Sequence, residues 1–248
     1  MLSALRHLPR HLASQLSSAL PSSCALCGQG GEHGICTGCR AQFFSQQPIR
    51  CAQCANLLPY ASGGHGICGD CLKQPPAFDA TIVATDYAAP VDQLVLALKF
   101  GGNLTLASLF AQMLGDECLR AQRDNDALPT LLSAVPLSEQ RLAERGFNQA
   151  QEIARHLSCA LSIPLDTHLA VRVRDTLAQA LLPPKERRKN MRHAFTLTPA
   201  AIERIKGKHI GIVDDVITTG ETLGELAATL KRFGAARVTN FVFARALH

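Results

Sequence analysis

Tryptophan is absent from the 248 residues, tyrosine occurs twice and aromatic residues make up only 5%, so stacking platforms for single-stranded nucleic acid are not evident. Long apolar runs are missing too. The longest uninterrupted one, residues 94–98, is far too short to cross a bilayer. Charge of one sign is not in great excess: 25 basic residues oppose 20 acidic ones for a formal net of +5, which is not the imbalance of a dedicated nucleic-acid binder, although a local patch is compatible with it. A secretory leader would need an apolar stretch near the start, and Arg6, His7, Pro9, Arg10 and His11 interrupt the one candidate. With 47% apolar residues the chain can bury the core of one large domain or two modest ones. These features predict a soluble protein of the reducing cytoplasm.

Ten cysteines in such a chain need a use, and eight form four CxxC pairs: Cys24 and Cys27, Cys36 and Cys39, Cys51 and Cys54, Cys68 and Cys71. Each CxxC turn can aim two thiolates at one tetrahedral ion, so two turns complete a closed structural zinc site. Sequential pairing closes the shorter loops; an interleaved pairing is the other arrangement these spacings allow. Both predict two zinc ions with no open position for substrate, hence a structural role. Four thiolates on one dication leave two negative charges per site, which lowers the formal charge from +5 to about +1. A thioredoxin-like redox use would want a βαβ context that this segment lacks. Cys118 and Cys159 fall on predicted helices and read as core residues.

The chain divides by composition. Residues 1–23 contain no acid and carry Leu2, Leu5, Leu8, Leu12, Leu16 and Leu20 three or four apart, an amphipathic helical pattern that Pro9 disturbs. Its plain use is packing on its own protein; a membrane surface or a partner helix is the other. Residues 24–76 have little apolar periodicity and depend on the metal as a staple. Beyond Pro75 and Pro76, residues 78–248 alternate short apolar strands (about 81–87, 131–137, 170–173, 210–214 and 238–244) with helices (about 90–100, 104–122, 147–159 and 221–233). That alternation predicts an α/β domain with a mainly parallel sheet flanked by helices, its ligand at the carboxyl ends of the strands. Between residues 172 and 192 lie seven Lys or Arg and two acids, a basic segment with the character of a mobile lid for an anion.

The sharpest pattern is IGIVDDVITTGET, residues 210–222: a buried strand, two acids, a small-residue loop and a helix start. Thr218, Thr219 and Gly220 ahead of a helix present backbone N–H groups and hydroxyls to a phosphate. Asp214 and Asp215 can accept hydrogen bonds from a ribose diol. Together they suit a ribose 5-phosphate. Paired acids after a strand also occur in phospho-acceptor receivers and Walker B sites, and TTGET can be a plain helix cap. No GxxxxGK(S/T) occurs, which argues against a P-loop NTPase.

This stretch resembles the binding motif for phosphoribosyl pyrophosphate (PRPP) of type I phosphoribosyltransferases. LALKFGG at 96–102, VPLSEQRLAERGFNQAQ at 135–151 and RDTLAQALLPPKERRKNMRHAF at 174–195 resemble the ComF family of competence proteins, which includes GntX-type proteins. The resemblance implies a type I phosphoribosyltransferase-like fold behind a double zinc ribbon. It implies that Asp214 and Asp215 bind the ribose hydroxyls and that Thr218, Thr219, Gly220 and Thr222 bind the 5-phosphate. Val135 and Pro136 would form the pyrophosphate loop, with Arg141, Arg145, Arg174 and Arg187 as its cations. Asn148, Gln149 and Gln179 are candidate contacts to the acceptor or hood; capping is the plainer use of Asn148 and Gln149. Mg²⁺ would accompany PRPP. A role in natural transformation, DNA uptake or DNA utilisation follows from the family, with single-stranded DNA or uptake proteins as partners; a PRPP-dependent transferase of base or nucleotide metabolism is the alternative.

Overall fold

The computed structural model describes residues 22–31, 34–46, 48–59, 66–123, 128–173 and 193–247. The leucine-striped start and the basic segment 174–192, with Arg174, Gln179 and Arg187, therefore lie outside the described residues. The chain forms two compact units, Met1–Gln46 and Gln47–His248.

In the first unit, β1 (Ser22–Ser23) and β2 (Gly30–Gly31) make a short antiparallel hairpin, followed by α1 (Thr37–Phe44). The second unit opens with the other cysteine loop and α2 (Gly69–Lys73). Next come β3 (Ala80–Asp86), α3 (Val91–Gly101), α4 (Thr105–Arg123), β4 (Leu131–Ala134), α5 (Glu139–Arg145) and α6 (Gln149–Leu161). The chain continues through β5 (Ala170–Arg172), β6 (Phe195–Leu197), α7 (Pro199–Ile205), β7 (His209–Ile217), α8 (Glu221–Arg232) and β8 (Arg237–Arg245).

The sheet is parallel throughout, in the order β3-β8-β7-β4. Its central strands are buried on both faces, as a sheet covered on both sides requires: every residue of β8 after Arg237 is buried. Ile210 and Ile212 of β7 and Val238 and Val242 of β8 share one apolar cluster with Leu223, Leu226 and Leu230 of α8. The alternate residues face α4, where Phe110 stacks on Phe243 with the rings 6° from parallel. Gly211 is required on that face, because a Cβ there would lie 2.5 Å from Leu132 and 2.8 Å from Phe241.

The strands and helices expected around the sheet are present, with differences that have local causes. The strand at 131 stops at Ala134, ahead of Val135 and Pro136, where proline has no N–H to extend the ladder. The strand at 210 does not end at Asp214: β8 continues beside it, pairing Val216 with Ala244 and Ile217 with Arg245, so the ladder carries the acids inside the strand. Residues 170–172 do not join the parallel sheet; they pair antiparallel with β6, which is too short to show periodicity. Helices α5 and α7, seven residues each, also fall below the length at which a pattern declares itself. Cys118 is buried as expected, whereas Cys159 is exposed, on the outer side of α6.

Candidate functional site

The eight CxxC cysteines gather into two sequential clusters, Cys24, Cys27, Cys36 and Cys39, then Cys51, Cys54, Cys68 and Cys71, with sulfurs all within 4.8 Å of one another in each. A zinc–sulfur bond of about 2.3 Å gives a tetrahedron with edges of roughly 3.8 Å, and Cys27 to Cys36 is 3.7 Å while Cys54 to Cys68 is 3.6 Å. The two halves repeat one design. In each, the first pair sits on a tight turn, closed by Gly28 N–H on the Cys24 carbonyl and by Ala55 N–H on the Cys51 carbonyl. Gly28 and Ala55 both take positive φ. The second pair opens a helix, with Cys36 and Cys68 as its N-caps.

The donor chemistry fits a dication. Burial raises the Cys24 thiol, but N–H groups of Cys36, Cys27 and Leu26 outweigh it and bring the group down to about 6. Cys51 is likewise brought down to about 7 by the N–H groups of Cys54, Cys68 and Gln53. Burial and neighbouring thiols push Cys39 up to about 12 and Cys54 up to about 11. Each cluster thus sets a lowered thiol beside raised ones that a bound metal would ionise.

The second group of candidate residues lies at the carboxyl end of β7. The two adjacent acids differ in their surroundings. Asp214 lines an open concavity of about 210 Å³ with Val216, Ile217, Thr218, Gly220, Thr222 and Leu223. Asp215, buried beside it, is 3.0 Å from Lys99 Nζ at the end of α3. Its backbone N–H also donates to Asp214 Oδ1 at 2.9 Å. Burial, then the charge of Asp215, push the Asp214 carboxyl up to about 7, against the opposing pull of the Asp215 N–H and Lys99.

Gly220 turns the chain into α8 with φ +81°, a conformation that suits glycine, and offers no side-chain cap to the helix. The Thr219 hydroxyl is buried without a hydrogen-bond partner. Such a loop, with an unsatisfied hydroxyl and an uncapped helix start, has the donors an anion uses.

Val135 N–H donates to the Val213 carbonyl at 3.0 Å, which sets the 135–138 loop beside the acids. Asn148 holds that loop from the other side: its amide donates to the Val135 carbonyl at 3.0 Å, while its oxygen caps α6 through Ala150 and Gln151. Arg145 reaches the Gln149 side-chain oxygen at 3.0 Å and lies 5.5 Å from the Phe100 ring centroid. Arg141 sits on the same short helix, α5, one turn earlier. Two residues absent from the sequence-based set belong here. Lys99 was visible within LALKFGG, and Arg245 as a lone cation closing an apolar strand.

A parallel sheet ending in an acid pair and a small-residue loop, with two four-cysteine clusters ahead of it, is the arrangement of a phosphoribosyl transferase domain behind a double zinc ribbon. The family model for the phosphoribosyl transferase domain matches residues 142–248, and that for the double zinc ribbon domain matches residues 15–72. The DNA utilization protein YhgH of Escherichia coli strain K12 is 36% identical over 232 residues, covering 92% of this chain and 99% of the relative. Competence protein F of Haemophilus influenzae is 33% identical over 216 residues, covering 87% and 92%. The chain belongs to the ComF family of competence and DNA-utilization proteins. Among solved structures, the Trypanosoma cruzi hypoxanthine phosphoribosyl transferase is 15% identical and covers 55% of this chain and 63% of its own, with a TM-score of 0.35, too slight a likeness to carry an argument. No described helix is long and apolar enough to cross a membrane.

Proposed function

We propose that this protein binds PRPP at the end of β7 and serves the handling of DNA in the cytoplasm, in line with the DNA-utilization and competence names of its relatives. The observation that carries the ligand is the concavity that joins Asp214 to the 218–222 loop, one wall suited to hydroxyl groups and the other to a phosphate. Asp214 and Asp215 take the ribose diol, Asp215 sharing itself with Lys99, and Thr218, Thr219, Gly220 and Thr222 take the 5-phosphate. The 135–136 loop, with Arg141 and Arg145 behind it, receives the pyrophosphate, where guanidinium forks match the anion.

Among the described residues the clusters with three or more metal-binding side chains are the two cysteine sets. Mg²⁺ would therefore be held largely by the diphosphate and ribose oxygens of the ligand and by water, its usual habit. Zinc on the cysteines would hold the fold. Titration calorimetry of PRPP with Mg²⁺ tests the reading: saturable one-site binding is expected for the native chain and none for Asp214→Ala with Asp215→Ala, at unchanged zinc content. Equal affinity in the double variant would overturn it.

A further inference from the structure

The second cysteine cluster and the phosphate loop touch the same buried side chain. Arg245, 3% exposed, closes β8. Its Nη1 donates to the carbonyls of Ile217, at 3.2 Å, and of Thr218. Its Nη2 donates to Asn56 Oδ1 at 2.9 Å. Asn56 is itself part of the cysteine turn: its carbonyl accepts the Cys51 N–H at 2.8 Å, and it follows Ala55, whose positive φ closes that turn.

We infer that Arg245 is a positioning residue that links metal at Cys51, Cys54, Cys68 and Cys71 to sugar-phosphate binding at the 218–222 loop, each favouring the other. The inference rests on the ribose 5-phosphate reading of that loop.

Three physical arguments support it. A trans peptide sets C=O and the next N–H in opposite directions, so a guanidinium that holds the Thr218 carbonyl turns the Thr219 N–H away from itself and keeps a carbonyl dipole from facing the anion. The planar fork has a fixed span, so movement of Asn56 moves the carbonyls. The charges bear on it too: burial and Arg50 disfavour the Arg245 cation, while Cys54, Cys68 and Cys71 favour it, and four thiolates around one zinc carry a net charge of two minus. A second contact runs parallel. Gln53 donates to the Phe78 carbonyl at 3.2 Å, and the Phe78 ring lies 3.6 Å from where a Gly220 Cβ would stand.

Linkage is reciprocal, so zinc can report it. The full-length zinc-loaded chain is equilibrated with a competing chelator, with and without saturating ribose 5-phosphate, whose binding is measured separately by calorimetry. One of the two zinc equivalents is expected to bind at least about fivefold more tightly with the sugar phosphate present, the lower end of common coupling. It is the equivalent that remains in Cys27→Ser. Asn56→Ala retains both ions and ribose 5-phosphate binding but reduces the effect below about twofold, whereas Asn56→Asp, still an acceptor for the guanidinium, restores it. Ribose 5-phosphate binding with unchanged zinc affinity, or full coupling in Asn56→Ala, overturns the inference alone. No ribose 5-phosphate binding to the native chain overturns the site reading and the inference with it. If Asn56→Ala does not fold, Arg245→Lys, which keeps the charge without the fork, is expected to lose the same coupling, and retaining it refutes the link.

Discussion

Asp214 carries a pH signature that can be measured without any ligand. Its carboxyl is moved from the ordinary 3.8 to about 7 by burial and by Asp215. The native protein therefore keeps a proton that the unfolded chain has lost throughout the interval between these values. Stability from this group is fully present below about pH 4 and is lost as pH rises through about 7, because the slope of unfolding free energy is negative wherever the native state binds more protons. At about 1.4 kcal/mol per pH unit, the interval amounts to roughly 4 kcal/mol at most. Asp214→Asn keeps the shape and removes the titration. Urea unfolding of both proteins at pH 5, 6, 7 and 8 should show the variant gaining on the native chain with each step up to about pH 7 and no further. Zinc-linked effects cancel in the difference, since both proteins carry the same cysteines. If ionised Asp214 accepts the ribose diol, PRPP affinity should rise over the same interval in the native chain and stay level in the variant. A stability difference that is flat from pH 5 to 8 would refute the reasoning.

Three further outcomes follow from the same geometry. Lys99→Met leaves Asp215 without its cation in a largely buried setting; because Lys99 is partly open to water, the cost should fall below the roughly 3–5 kcal/mol of a fully buried pair, at about 1–3 kcal/mol in urea unfolding, and wild-type stability would count against the ion pair. Gly211→Ala places a methyl against Leu132 and Phe241 and should cost about 1–3 kcal/mol as overpacking does, read as a lower thermal midpoint; an unchanged midpoint would show that the strands can shift apart. Metal analysis of the purified chain should give about two zinc per molecule, with prolonged chelation loosening the fold by circular dichroism, and an absence of zinc would remove the structural role of the clusters.

Local chemistry explains which features were legible in advance. CxxC turns announce themselves because each binds through neighbours in sequence, and two turns per site are enough to specify four ligands. Helices α3, α4, α6 and α8 could be read because eleven or more residues repeat an apolar stripe. Asp214 and Asp215 stand out because two acids interrupt an otherwise apolar strand. Lys99 was harder: nothing near it in sequence names its partner, which lies 116 positions later and meets it only in the folded chain. Asn148 gave an ambiguous signal for another reason, since a side chain that caps a helix and one that braces a loop have the same composition, and here one asparagine does both.

By itself, the order of residues determined the two cysteine clusters, the alternation of strands and helices, and the acid pair with its adjoining small-residue loop. These depend on spacings of a few residues and on the periods of helix and strand. Only the folded chain decided that Asp215 is buried against Lys99 while Asp214 lines the concavity, and that Arg245 spans the second cysteine turn and the backbone at Ile217 and Thr218. Asn56 and Arg245 are 189 positions apart, and a contact of that kind is set by how the elements pack, which no local pattern encodes.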